Sequence, residues 1–96
     1  MEEVIVVSGA REAWMVKCVA ALESSGFTNV TRNTLLYQIE ANYKKFMTWG
    51  DVRITLTPSG LDTRMALVST ANVDNIYALF KSPNAVILAA FKAGIR

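Results

Sequence analysis

The sequence predicts a single α+β domain (residues 1–96), in which β-α-β-β-β-β-α elements form an antiparallel sheet with the helices packed on one face. Ninety-six residues provide one hydrophobic core and not two. Hydrophobic residues make up 52% of the chain, which is ample for a packed interior and unlike a disordered composition. They recur at helical spacing in two segments and at every second position in other segments, which indicates both helices and strands.

The first two elements are predicted to be a strand and an amphipathic helix. Residues 3–7 are mostly β-branched and precede Ser8-Gly9, so we expect a buried strand there. Residues 10–25 then follow a helical pattern, with Ser8 as a candidate N-terminal cap and Gly26 as the C-terminal cap. The apolar stripe of this helix contains Trp14, Met15, Cys18, Val19, Ala21 and Leu22.

Four strands are expected next, over residues 27–32, 35–43, 51–57 and 63–69. Arg32-Asn33-Thr34 is the predicted turn between the first two of these strands. Pro58-Ser59-Gly60 is the predicted turn between the last two, since proline presets φ and glycine accepts a positive φ. Alternation predicts one inward-facing set of side chains. This set contains Leu35, Tyr37, Ile39, Ala41, Tyr43, Val52, Ile54, Leu56, Met65 and Leu67.

The last quarter of the chain is predicted to be helical. Asn72 is a candidate cap for a short helix over residues 73–81, and Ser82-Pro83 indicates a second start. The helix over residues 83–92 would bury Val86, Ile87, Ala90 and Phe91, and Gly94 would end it. Short connections then place both helices on one face of the sheet. This arrangement is that of the TATA-binding-protein-like or helix-grip-like α+β class, and it leaves the other sheet face partly bare.

One longer pattern resembles a known group of domains. Trp49-Gly50 is followed by the strand DVRITLTP (residues 51–58), the turn SGLDT (59–63) and the strand RMALVST (64–70), and LESSGF (22–27) lies near the start. Together they resemble small bacterial domains of unknown function in which a Trp-Gly pair opens a hairpin. The resemblance extends over most of the chain and implies a TATA-binding-protein-like fold without an established activity.

Composition excludes several classes of function. The chain has one cysteine, no histidine and a net charge of +2, so an intramolecular disulfide, a Cys/His zinc site and a histidine-dependent catalytic triad are excluded. The nearly balanced charge disfavours a nucleic-acid partner. The longest apolar run, residues 85–91, is too short to span a bilayer, and the N-terminus lacks the pattern of a signal peptide. We expect a cytoplasmic or cytoplasm-facing domain with no membrane span.

Potential catalytic groups have simpler structural interpretations. Cys18 lies on the apolar stripe of the first helix, where a thiol packs as a small hydrophobic group. Asp51 and Asp62 belong to one predicted hairpin and are expected to lie close together, near Arg53 and Arg64. Alternating charges on a strand favour a solvated face with cross-strand ion pairs over an acid–base pair. We therefore expect no enzyme, no catalytic or metal-binding residue and no cofactor.

The remaining signal is an excess of large apolar residues for so small a core. We expect some members of one set to be exposed to solvent, or to cover a cavity or a partner: Leu36, Met47, Leu61, Val68, Tyr77 and Phe80. We predict a non-enzymatic module that acts by self-association or by docking to a protein partner. The alternative is a carrier or sensor of a small hydrophobic, lipid-like ligand held between sheet and helix. A nucleic-acid-binding module ranks third.

The segment NYKKFMTWGD (residues 42–51) contains much of the candidate surface. Trp49 is expected to close the end of the core, Lys44 and Lys45 to be solvated, and Gly50 to allow a bulge or bend. Apolar residues in a hairpin loop that should be polar indicate contact with another molecule or with the core. The complete candidate surface for an interface or ligand consists of Phe46, Met47, Trp49, Tyr77 and Phe80.

Overall fold

The computed structural model describes residues 2–45, 48–73 and 83–95, which form a five-stranded antiparallel sheet and two helices. The predicted α+β class and the element order β-α-β-β-β-β-α are confirmed. The strands are β1 (Glu2–Val7), β2 (Thr28–Asn33), β3 (Gln38–Lys45), β4 (Thr48–Ser59) and β5 (Asp62–Val73). The helices are α1 (Arg11–Ser24) and α2 (Pro83–Gly94).

The strand order in the sheet is β1-β5-β4-β3-β2. Strands β2 to β5 form a meander of consecutive antiparallel pairs, and β1 pairs with β5. Strands β1 and β2, which are neighbours in the sequence, therefore lie at opposite edges of the sheet. Helix α1 connects them and so crosses the width of the sheet. Both helices contact the sheet and each other, as expected for two helices on one face.

The core lies between the helices and one face of the sheet. The alternating residues predicted to face inward from β3, β4 and β5 are buried, as Ile39, Ile54 and Leu67 illustrate. The prediction that Leu35 faces the core is wrong, since its side chain is almost fully exposed. Tyr37, from the same predicted set, is only partly buried. Both precede β3, in the turn over residues 34–37.

That turn is formed by local hydrogen bonds that alternation does not reveal. The side-chain Oδ1 of Asn33 accepts hydrogen bonds from the backbone N–H groups of Leu35 (3.0 Å) and Leu36 (3.1 Å). Tyr37 has a positive φ of 51°, and its carbonyl accepts a hydrogen bond from the backbone N–H of Leu56 at 2.9 Å. The regular ladder therefore begins only at Gln38.

Helix α1 ends as its sequence predicts but begins differently. Gly26 has a φ of 86°, and the N–H groups of Gly26 and Phe27 donate to the carbonyls of Glu23 and Leu22, which is a Schellman motif. At the other end, the N-cap position is Ala10, which provides no side-chain hydrogen bond. The prediction of Ser8 as the cap is therefore wrong.

Three further predictions about strands are corrected. Strand β1 is an edge strand exposed on one face, and not a buried strand, because only β5 lies beside it in the described sheet. Asn72 pairs with Trp49 inside β5, so the strand continues where the start of a helix was predicted. Gly50 pairs in continuous register with Tyr43 and Ala71, without a bulge. The helix predicted over residues 73–81 falls outside the described residues except for Val73, which ends β5.

Helix α2 begins at Pro83, as predicted, and buries Ile87, Leu88 and Phe91. The side chain of Val86 lies outside the described set. Gly94 is the last residue of the helix, and its role is close packing. A Cβ atom on Gly94 would lie 2.5 Å from Oγ of Ser25 and 2.9 Å from the carbonyl oxygen of Ala21.

Candidate interaction surface

The sheet has an open face on the side away from the helices, formed by alternate residues of the strands. Ile54 and Met65 belong to the core, so the residues beside them in β4 and β5 point outward. One row across this face runs from Val4 through Ala66 to Thr55. The face is apolar where β1 meets β5 and largely polar across the remaining strands, apart from Trp49 near the end of β4.

Four residues of β1 and β5 form the apolar part, which we call the valine patch: Val4, Val6, Ala66 and Val68. Val4 pairs directly with Ala66, Val68 is diagonal to Val4, and Val6 is diagonal to Ala66. Val6 is 63% exposed, and Val4 and Val68 are also exposed. The valine patch is therefore apolar surface that another molecule can cover.

Sequence reasoning identified Val68 as exposed but missed Val4 and Val6. Four successive β-branched residues hide the alternation of β1, because a continuous apolar run is equally typical of a strand buried on both faces. The preceding Glu2 and Glu3 provided the missing signal. Adjacent residues of a strand point to opposite faces, and carboxylates on both faces indicate an edge rather than a central strand.

The polar part of the open face carries an ion pair between neighbouring strands. Nε of Arg53 donates to Oε1 of Glu40 at 2.9 Å, and the two residues are directly opposite in the register of β3 and β4. Both side chains are more than half exposed, so the pair contributes about 0–1 kcal/mol to stability. A shallow depression of about 220 Å³ lies beside it, lined largely by polar residues. This part of the face is the solvated, mixed-charge surface expected from the sequence.

The two aspartates considered as a catalytic pair are far apart. Asp51 pairs with Thr70 and Asp62 pairs with Ser59, at opposite ends of the long β4–β5 hairpin. At the usual rise of a strand they are separated by roughly 26 Å, so the expectation that they lie close together is wrong. Across the part of the chain that the structure describes, no group of three or more acidic, cysteine or histidine side chains is placed to hold a metal ion.

Cys18 is fully buried in α1, and burial raises the pKa of its thiol to about 12. The ammonium of Lys17 lies over the ring of Trp14, 4.7 Å from the ring centroid. It does not form a cationic environment that would activate the thiol. The structure therefore supports the prediction that Cys18 packs as a hydrophobic residue.

Trp49 lies on the open face near the end of β4 and is 43% exposed. The prediction that it closes the core is wrong. Val52 and Ile54 point into the core from β4, and Trp49 lies an odd number of residues from each of them, so its side chain points to the opposite face. Lys44, its neighbour on β3, is exposed as expected. The other four candidate surface residues lie outside the described residues. They are Phe46, Met47, Tyr77 and Phe80.

A second apolar feature lies on the helix side of β1. Ile5, Val7, Trp14 and Ile95 line an open groove of about 400 Å³ between β1, α1 and the end of α2. The ammonium of Lys92 donates to both carboxylate oxygens of Glu3, at 2.9 and 3.0 Å, and this ion pair also lines the groove. Ile5 and Val7 are only partly buried, because no strand continues the described sheet beyond β1.

Exposed leucines occupy two turns at the same end of the sheet. Leu36 and Leu61 are exposed, as predicted, on the β2–β3 and β4–β5 turns. Beside the first turn, the guanidinium of Arg11 lies 3.6 Å from the ring centroid of Tyr37, whose hydroxyl donates to Glu12 at 3.2 Å. These contacts attach the turn to the start of α1.

Comparison with known protein families finds no matching family model, and comparison with curated proteins finds no significant relative. The resemblance to small bacterial domains therefore stays an expectation from the sequence. Within the described residues, neither helix is long and apolar enough to cross a membrane.

Proposed function

We propose that this chain is a non-enzymatic association module that self-associates through the valine patch and the adjoining edge of its sheet. The valine patch is the observation that supports the proposal. Exposed apolar side chains that adjoin one another are a feature of interaction sites. Here Val4, Val6 and Val68 are exposed together on one face.

A second copy of the chain is the simplest molecule to cover this patch. In a symmetric dimer both copies use the same surface, so each residue of that surface is buried once on each copy. When the edges of two copies meet, Val4 and Val6 of each copy lie beside the partner strand, so four partly exposed valines lose contact with water. Each contributes roughly 1 kcal/mol, about half of the value for burying a fully exposed valine. That gain has to offset the entropy lost on association, so the expected dimer is weak.

Sedimentation equilibrium tests this proposal directly. The chain should show a reversible monomer–dimer equilibrium in the micromolar to high-micromolar range. A strict monomer at high micromolar concentration would contradict the proposal, because the valine patch would then be solvent-exposed in the working protein.

The groove beside β1 favours a second candidate, a carrier of a small hydrophobic ligand. Ile5, Val7, Trp14 and Ile95 offer an apolar lining that supports this candidate, while Lys92 at the wall is already paired with Glu3. A ligand that binds the folded chain raises its melting temperature. We expect such a rise with fatty acids under this hypothesis, and an unchanged melting temperature across a panel of fatty acids and detergents would remove it.

A further inference from the structure

The two edge strands of the sheet, β1 and β2, differ in how readily they can pair with a strand of another chain. Strand β2 shifts register between Thr28 and Thr31, and Asn29 has a positive φ of 51°. Its side chains are mostly polar, with Val30 as the exception. A bulge and polar side chains are features by which natural proteins prevent an edge strand from pairing with another chain.

Strand β1 has no bulge, and its polar side chains are confined to Glu2 and Glu3 at its start. Its register with β5 is continuous from Glu2, opposite Val68, to Val7, opposite Thr63. The strand contains no proline, glycine or lysine, and four of its six residues are β-branched. On its outer side, no strand of the described chain accepts or donates backbone hydrogen bonds. Strand β1 is therefore a regular, apolar edge that is open to a further strand.

We propose that β1 pairs antiparallel with β1 of a second copy, with Ile5 of each copy opposite Ile5 of the other. The inference rests on the proposed self-association and specifies its surface, its symmetry and its register. Two sheets of five strands then join into one continuous sheet of ten. The axis is a two-fold, so each copy contributes the same strand.

The register follows from the alternation of β1. Directly opposed residues of an antiparallel pair lie on the same face of the sheet. The helices of both copies therefore lie on the same side only if odd-numbered residues oppose odd-numbered ones and even-numbered residues oppose even-numbered ones, which we call a register of equal parity. With Ile5 opposite itself, Val4 opposes Val6 of the second copy on the open face. Glu3 then opposes Val7, and Glu2 lies beside Ser8.

Other registers of equal parity are less favourable. A shift that sets Val4 opposite Val4 places Glu2 opposite Val6 and Glu3 opposite Ile5. A further shift of the same size sets Glu3 opposite Glu3, which is destabilising because like charges are then direct neighbours. Shifts in the other direction leave few paired residues. The Ile5 register pairs the most apolar side chains while the acidic residues stay apart, and Glu3 keeps Lys92 as its partner.

The groove beside β1 independently favours an added strand. Side chains of a new strand that point to the helix side would lie next to Ile5 and Val7, where the groove lined by Trp14 and Ile95 is open. Recognition by strand addition combines backbone hydrogen bonds with pockets for alternate side chains. In the proposed register, Glu3, Ile5 and Val7 of the second copy point to the helix side, and Ile5 lies between the other two, next to Ile5 of the groove.

A pair of matched lysine substitutions tests the surface. Val6 and Val16 are equally exposed, at 63%, but Val6 is on β1 and Val16 is on α1. Val6→Lys should raise the dimer dissociation constant about tenfold or more, because a charged side chain then replaces the apolar one that opposes Val4 of the second copy. Val16→Lys should leave the dissociation constant unchanged. Circular dichroism of both variants verifies that the monomer is folded.

Cysteine pairs test the register, and they do not depend on the lysine variants. Native Cys18 is fully buried, so introduced thiols are the accessible ones. A mixture of Val4→Cys and Val6→Cys chains should form an intermolecular disulfide several-fold faster than either variant alone. Opposed residues bring their Cβ atoms close enough for a disulfide, whereas residues displaced along the strand do not.

The outcomes separate this inference from the proposed function. A wild-type monomer at high micromolar concentration contradicts both. A wild-type dimer that Val6→Lys leaves intact, or in which the mixed cysteines show no preference, overturns the pairing of β1 but not self-association. A dimer lost with Val6→Lys, retained with Val16→Lys and trapped by the mixed disulfide supports the proposed pairing.

Discussion

At the scale of single residues, Thr63 connects β5 to the loop before α1. The side chain is fully buried, and its hydroxyl donates to the carbonyl oxygen of Gly9 at 2.8 Å. We expect Thr63→Val to lower the free energy of unfolding by about 1–3 kcal/mol, because the isosteric methyl group leaves the Gly9 carbonyl without this donor. Urea denaturation measures the change.

The matched control for this substitution is Thr57→Val, which is also in the β4–β5 hairpin but exposed on the open face. It should change stability by less than about 0.5 kcal/mol. Equal effects of the two variants would show that the Thr63 hydrogen bond has no special role.

Cys18 makes stability depend on pH at the alkaline end. Burial raises the pKa of its thiol from 9.0 to about 12 in the folded chain. Below pH 9 the thiol is protonated in both states and its contribution to stability is complete. Between pH 9 and about 12 the unfolded chain loses its proton while the folded chain retains it, so stability falls as pH rises. Denaturation of the wild type and of Cys18→Ala across this range should show a shallower fall for the variant, and parallel curves would contradict this.

At the scale of elements, the contact between α1 and α2 depends on the absence of a side chain at Gly94. In an exposed helix, alanine in place of glycine is stabilising by about 1 kcal/mol. Here Gly94→Ala should instead be destabilising by about 1–3 kcal/mol, because the new Cβ meets the backbone carbonyl of Ala21 at 2.9 Å. Thermal unfolding gives the sign of the effect.

The double variant Gly94→Ala with Ser25→Ala serves as the control. It removes the contact at 2.5 Å with Oγ of Ser25 and leaves the contact with the Ala21 carbonyl. Recovery should therefore be partial. A stabilising Gly94→Ala would show that α2 moves away from α1 at little cost.

The strands show where alternation predicts structure and where it does not. Ile39, Ala41 and Tyr43 were correctly assigned to the core because polar residues separate them and only one phase is apolar. Leu35 continued the same phase but is exposed, because the Asn33 side chain forms a turn there. Local hydrogen bonds of this kind compete with the ladder without changing the apolar pattern.

At the scale of the whole molecule, self-association should make thermal stability depend on protein concentration. Binding between folded chains raises the melting temperature as concentration rises. Scanning calorimetry of the wild type at increasing concentrations should show this rise, whereas Val6→Lys should melt at one temperature throughout. A concentration-independent wild type would contradict the proposed module.

The candidate surface was less predictable from sequence than the fold, because it depends on which strands are neighbours. Val68 was predicted to be among the apolar residues outside the core. Val4 is far from it in the sequence and becomes its neighbour only through the pairing of β1 with β5. The error over Asp51 and Asp62 has a different cause. Their hairpin was predicted, but its turn at Gly60 and Leu61 puts Asp62 directly after the turn and Asp51 far along β4. Composition and periodicity contain no direct measure of such pairings.

The crossing of α1 from one edge of the sheet to the other has a consequence for the order of folding. Each hairpin of the meander closes a short loop, whereas β1 finds its place only when Val7 meets Thr63 and Glu2 meets Val68. Pairings about sixty residues apart carry a larger loop-closure entropy and form slowly. Of the five strands of this sheet, the one synthesised first is thus the last to dock. Until β5 has been synthesised, the valines of β1 have no partner strand in this sheet and can contact a neighbouring nascent chain.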